Sequence, residues 1–198
     1  MDVMVQREGL RDRTRRAVQA EIGEAAMRLF LEAGFEAVTM DQIAREAGIS
    51  RRSLFRYFGT KEDIVLGNLA EMGRATRHML ESRPAGEPPW AALRAAFEVF
   101  VTDPGYSPEF AFRVSRMVHT TPSLRARRLE KQLLWLDLLV PEIRRRLTGD
   151  DTELRARAIV SAALACLDTA TELWIRRDGA GRIEDLYDEA VAAVRGSA

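Results

Sequence analysis

Acid–base, metal and phosphate chemistry need particular side chains at particular spacings, and this chain offers few of them. Asp168 and Glu172 stand four apart, on one face of any helix that holds them. Paired carboxylates can move protons, but no histidine, metal motif or glycine-rich phosphate loop accompanies this pair. It reads as a polar pocket or interface feature. His78 and His119 are the only histidines, and neither stands in a metal-ligand motif. Cys166 is the single cysteine, so an intramolecular disulfide is impossible, and its uncharged surroundings suit a small buried hydrophobe. No metal, no cofactor and no catalysis are expected. The arginines are the remaining candidates. Between Gly48 and Lys61 there are four basic residues, Arg51, Arg52, Arg56 and Lys61, and no acids. Between Arg7 and Arg16, five arginines face only Glu8 and Asp12. Lys plus Arg and Asp plus Glu are 30 each, so two short basic patches sit on a neutral body. That pattern suits local phosphate contact rather than a wholly basic coat. A charge cluster alone is more often a solvated face, so the elements that hold it must decide.

Those elements are helical throughout, with no alternating strand pattern and no repeat. The first helix is expected to begin near Thr14, with an apolar stripe at Ile22, Ala25, Ala26, Leu29, Phe30 and Ala33. Gly34 stands at its C-terminal cap, and Phe35 and Val38 re-enter the core. Thr39 with Gln42 makes a capping-box pattern for a second helix, about Met40 to Ala47. Gly48 turns the chain. Ser50 caps a third helix, about Arg51 to Tyr57, and Thr60 caps a fourth. Further helices are expected over 61–82, 89–102, 107–119, 122–147, 151–177 and 183–195, nine in all. Pro141 should kink or split the one that contains it.

The segment TMDQIAREAGISRRSLFRYF, Thr39 to Phe58, is a helix-turn-helix candidate. Ile43, Ala44, Ala47, Ile49, Leu54 and Phe58 are spaced to pack its helices together and against the first. Arg51, Arg52, Ser53 and Arg56 then face outward, where arginine can bind guanine bidentately. Phe55 can touch a thymine methyl and Tyr57 can donate to a phosphate. Glycine turns between helices are common, but the caps, the core spacing and the acid-free basic face together favour DNA binding over an ordinary hairpin.

From Thr14 to about Leu66 the chain resembles the N-terminal domain of TetR-type transcriptional regulators, in AAMRLFLEAGFEAVTMDQIAREAGIS and SLFRYFGTKEDIV. The resemblance implies an all-α homodimer with a small-molecule pocket in its C-terminal domain and repression relieved by ligand. It implies phosphate contacts at Thr39, Tyr57 and Lys61, with Ser50, Arg51, Arg52, Ser53, Phe55 and Arg56 on the DNA side. Phe55 stands where the family often has tyrosine, which removes a hydroxyl. The remainder is similar to the subgroup that binds acyl-CoA-like ligands. The expected domains are 1–60, with its basic arm, and 61–198.

In that second domain, Phe97, Phe100, Phe110, Arg113, Met117 and Trp135 are the candidate contacts to a small hydrophobic effector with an anionic head, although apolar stripes at helical spacing usually fill a core. Ala158–Leu167 carries no charge over ten residues, so a dimer face is expected at Ala158, Ala162 and Ala165, with Leu186 and Val191 from the last helix. No uninterrupted apolar run reaches the roughly 18 residues of a membrane span, and the N-terminus lacks the apolar stretch of a signal peptide. The expected protein is cytoplasmic, binds a double-stranded DNA operator and has no membrane partner. The rival reading is a helical carrier of hydrophobic ligands, or an interaction protein, that does not act on DNA.

Overall fold

The computed structural model describes residues 9–98 and 107–196. Among them are ten helices and no strand: α1 Leu10–Ala33, α2 Met40–Glu46, α3 Arg51–Tyr57, α4 Lys61–Leu66, α5 Asn68–Ser82, α6 Pro89–Phe97, α7 Pro108–Thr120, α8 Pro122–Arg144, α9 Thr152–Arg176 and α10 Ile183–Arg195. The all-α reading holds. Three local expectations change. The first helix begins at Leu10 rather than near Thr14, whose hydroxyl donates to the Leu10 carbonyl at 2.9 Å inside the first turn. The stretch 61–82 divides at Gly67, where a Cβ would lie 2.6 Å from the Asp63 carbonyl oxygen. Pro141 neither splits nor ends α8, which runs on to Arg144. It is exposed and stands near the helix end, where its missing N–H removes one bond from the last turns. Phe100 and the break at 103–105 lie outside the described residues.

The chain forms two compact units that divide between Gly67 and Asn68. The boundary falls seven residues past the expected Lys61, because α4 packs against α1 and buries Ile64 and Leu66 in the first unit. That unit closes over Ile22, Ala25, Ala26, Phe30, Phe35, Val38, Ile43, Ala44 and Leu54, all buried. Leu29 is only half-buried and Ala33 is exposed, so the stripe on α1 is narrower than its spacing suggested.

In the second unit α9 packs along α8 and α10 and also meets α6 and α7, while α5 lies on α8 and α6. Its core joins Leu80, Leu93, Phe97, Trp135, Leu139, Ile143, Val160, Leu164, Cys166, Leu186 and Tyr187. By length and composition α9 could cross a membrane, but Ala156, Val160, Ala163, Leu164, Cys166 and Ala170 form its buried face. The buried carboxylate of Glu142 is satisfied by Arg145, at 2.7 Å, and Arg77, at 3.5 Å. The Arg146 guanidinium donates to the Leu80 carbonyl at the end of α5, tying α8 to α5.

Candidate nucleic-acid interface and C-terminal groove

The helix-turn-helix is built from its caps inward. The Thr39 hydroxyl accepts from the Gln42 backbone N–H at 3.3 Å, and the Gln42 side chain accepts from the Thr39 N–H at 2.7 Å. The expected capping box is therefore complete. Gly48 has φ +66°, a left-handed turn that side chains resist. The Ser50 hydroxyl accepts from the Ser53 N–H at 3.1 Å and starts α3. Ile43, Ala44 and Leu54 are buried where the two helices meet, while Ala47, Ile49 and Phe58 are half-buried around them.

The outward face of α3 carries Arg51, Arg52, Phe55 and Arg56, all exposed, with Ser53 and Tyr57 half-buried. Their surroundings differ. Arg51 pairs with Asp41 of α2 at 3.2 Å and lies over the Phe55 ring, 5.5 Å from its centroid. Arg56 lies over Tyr57 at 5.4 Å, and Arg15 of α1 lies over the same ring at 5.7 Å. The Arg15 guanidinium also donates to the Arg56 carbonyl at 3.5 Å. Arg52 makes no ion pair or hydrogen bond that ties it to other described residues. Two guanidiniums sharing one aromatic ring concentrate positive charge beside a phenol, an arrangement suited to an anionic backbone. The sequence places Arg15 in the basic 7–16 patch, but not against Arg56 and Tyr57, which lie 41 and 42 positions away where no local spacing reports the contact.

Lys61, expected at a phosphate, is also tied within its own unit. Its Nζ donates to the carbonyls of Phe35, at 2.9 Å, and Glu36, at 3.4 Å, and stands 4.6 Å from the centre of the Phe35 ring. It clamps the turn between α1 and α2 to the start of α4, with one proton left for any phosphate. Thr39 likewise spends its hydroxyl on the capping box, where it also donates to Gln42 at 2.9 Å.

In the second unit the expected effector contacts separate. Phe97 is core, edge-on to Tyr187 with ring centroids 5.8 Å apart. Trp135 is also core, and its indole N–H donates to the Leu69 carbonyl at 3.0 Å. Phe110, Arg113 and Met117 are half-buried on α7. None of these lines the groove of about 550 Å³ between α8 and α9, whose walls include Leu129, Leu133, Leu136, Leu164 and Ala165, with Asp168 and Gln132 among its polar groups.

The dimer candidates separate as well. Leu186 is buried in the core of its own chain, and Val191 packs against that core while remaining half-buried. Ala158 and Ala165 are exposed and Ala162 is half-buried. Ala165 shares the α8–α9 groove with the exposed Leu129 and Leu133 of α8, and Leu134 on α8 and Leu154 on α9 are exposed as well.

Asp168 joins three helices. Its carboxylate lies 2.6 Å from the Arg128 guanidinium of α8 and 3.4 Å from His119 Nε2 of α7. His119 Nδ1 is 2.9 Å from the Ser115 carbonyl, which fixes the ring with its Nε2 toward Asp168. These partners, His119 first and Arg128 next, hold the Asp168 carboxyl below its ordinary range despite burial, which opposes the shift. Glu172, one turn on, pairs with Arg125 at 3.6 Å. The two acids are thus engaged separately with arginines. Among the described residues no group of three or more His, Cys, Asp or Glu could hold a metal ion.

Comparison with known proteins agrees with both units. Residues 22–67 match the family described as bacterial regulatory proteins, tetR family, and residues 87–197 match the MftR C-terminal domain. The HTH-type transcriptional regulator TcmR of Streptomyces glaucescens is 32% identical over 176 residues, 85% of this chain and 78% of TcmR. The fold is similar to that of Thermus thermophilus FadR, a TetR-family repressor solved with lauroyl-CoA, with TM-score 0.57, 20% identity and coverage of 90% of this chain and 94% of FadR. It is similar also to SmeT solved with triclosan, with TM-score 0.57, 17% identity and coverage of 89% and 91%. The chain belongs to the TetR family of bacterial regulatory proteins, and it is a DNA-binding transcriptional regulator rather than an enzyme.

Proposed function

We propose that the protein is a repressor that binds a palindromic operator as a homodimer and is released by a small hydrophobic effector. The observation that carries the DNA reading is the outward face of α3, where Arg51, Arg52 and Arg56 stand exposed on a helix with no acid of its own. Two such helices would enter successive major grooves, with half-site centres about 34–36 Å apart or a multiple of that. Tyr57 serves as a backbone contact, and Thr39 joins it only where its hydroxyl turns from Gln42 to the phosphate. The exposed apolar surface of α8 and α9, with Leu129, Leu133, Leu134 and Leu154 beside Ala158 and Ala165, supports the dimer, because a two-fold interface buries such a patch on both protomers. The setting is the cytoplasm, where the chromosome lies.

For the effector, the half-buried face of α7 with Phe110, Arg113 and Met117 is the proposed contact, and Phe97 and Trp135 are its packed support. An acyl-CoA-like molecule would set its chain against the apolar residues and its anionic groups near Arg113. FadR holds lauroyl-CoA on a similar fold, and this supports the class. Effector binding need shift the operator equilibrium by only about 1–3 kcal/mol to regulate.

The test is a gel shift with the DNA flanking the protein's own gene, repeated across salt concentrations, followed by titration with acyl-CoAs of rising chain length. Binding should fall steeply with salt. Release should strengthen by about 0.8 kcal/mol per methylene until the site is full. Trp135 fluorescence reports occupancy separately from release. Salt-independent binding, or none, would defeat the DNA reading. A flat chain-length series would defeat the acyl reading alone.

A further inference from the structure

We infer that Asp41, on α2, is a specificity-determining residue: it buttresses Arg51 as the guanine-reading side chain of α3. The inference rests on the operator-binding reading above. Reading guanine through O6 and N7 requires two parallel N–H groups held in one plane, so a base-reading arginine gains from being fixed before it meets DNA. Of the three exposed arginines on α3, Arg51 is the one held on two sides by side chains of the same small surface. The Asp41 carboxylate takes one N–H at 3.2 Å, and the Phe55 ring supports the guanidinium at 5.5 Å. Phe55 lies four residues on from Arg51, on the same face of α3. One carboxylate contact leaves the other donors of the fork to the base. Phe55 has no hydroxyl to spend on a phosphate, and its exposed ring has the planar face that a guanidinium stacks on.

The other arginines suit the backbone. Arg56 shares the Tyr57 ring with Arg15, which places two charges side by side as a phosphate clamp. Arg52 is not tied to any described partner and can follow the backbone in several geometries. The acid also acts against wrong sequences. While Asp41 neutralises Arg51, a phosphate gains little from it, and a carboxylate on the DNA-facing side repels the backbone generally. An exposed ion pair contributes little to folding, so the cost of placing an acid here is borne for discrimination.

The test is selection from a random-sequence 30-base-pair duplex pool, sequenced before and after, with the full-length wild type, Asp41→Asn and Arg51→Lys. Wild type should enrich guanine at one position of each half-site. Asp41→Asn should flatten that position on the order of 10-fold and leave the other positions as they were. Its binding to the unselected pool should strengthen, with a salt slope steeper by about 0.9, since one more arginine reaches phosphate. Arg51→Lys should weaken the same guanine, because a flexible ammonium lacks the planar fork that Asp41 and the Phe55 ring hold in place. A purely structural role for Asp41 would lower thermal stability and move every position together. The inference is overturned by an Asp41→Asn profile identical to wild type, or by loss of all positions at once. If wild type enriches no sequence at all, the operator reading falls with it.

Discussion

Replacing Leu133 with alanine is expected to separate two protomers while sparing each fold. Leu133 stands on the rim of the α8–α9 groove and is 64% exposed. Fully burying a leucine contributes about 1.5–3 kcal/mol. The protomer realises about a third of that, which leaves roughly 1–2 kcal/mol for a partner surface. A two-fold interface uses the residue twice, so truncation should weaken the dimer by about 2–4 kcal/mol, or roughly 30- to 800-fold in Kd. Sedimentation equilibrium over a concentration series measures this directly. Leu139→Ala is the contrasting variant. Leu139 is fully buried in the same helix, and its loss should cost about 2–5 kcal/mol of folding stability through the cavity left behind. An unchanged Kd in Leu133→Ala, with Ala165→Arg also remaining dimeric, would refute the α8–α9 face and move the interface elsewhere.

Arg52→Ala and Arg56→Ala, as backbone contacts, should each weaken binding about equally across duplex sequences and reduce the salt slope by about 1; fluorescence anisotropy against salt checks this, and a loss confined to one base position would refute it. Lys61→Ala should lower folding stability by about 1–3 kcal/mol in urea titration, because it removes a charged donor from the Phe35 and Glu36 carbonyls. The Asp168 carboxyl is held below its ordinary value in the folded state, so its stabilising contribution is complete above the unfolded carboxylate range near pH ~3.9 and is lost as pH falls toward the lower folded value. Asp168→Asn should therefore flatten the acid limb of a stability–pH curve, and an unaltered limb would refute the clasp with His119 and Arg128. Cys166 is buried and burial pushes its thiol pKa up, so native protein should resist a thiol reagent that labels it rapidly in denaturant.

What the chain alone determined is local. Thr39 with Gln42, Gly48 and Ser50 state a helix start, a turn and a second helix start within twelve positions, and each signal acts on backbone groups only a few residues away. That is why the helix-turn-helix, its caps and its exposed arginines were legible without coordinates. So were the other helices, whose apolar periods and proline breaks are short-range. Tertiary structure decided the rest, because a side chain's role depends on neighbours that no period encodes. Leu186 and Ala165 look alike as apolar helical residues, yet one fills the core beneath α10 and the other faces out from α9. Lys61 reads as a free cation until the chain folds back and sets two carbonyls 25 and 26 positions away against its ammonium. The Arg15–Tyr57 contact and the Asp168 clasp with His119 and Arg128 arise in the same way. Helix-forming interactions close over three or four residues and are written in the sequence order. Charge pairing and burial close across tens of residues, and only the packing of helices brings those partners within a few ångströms.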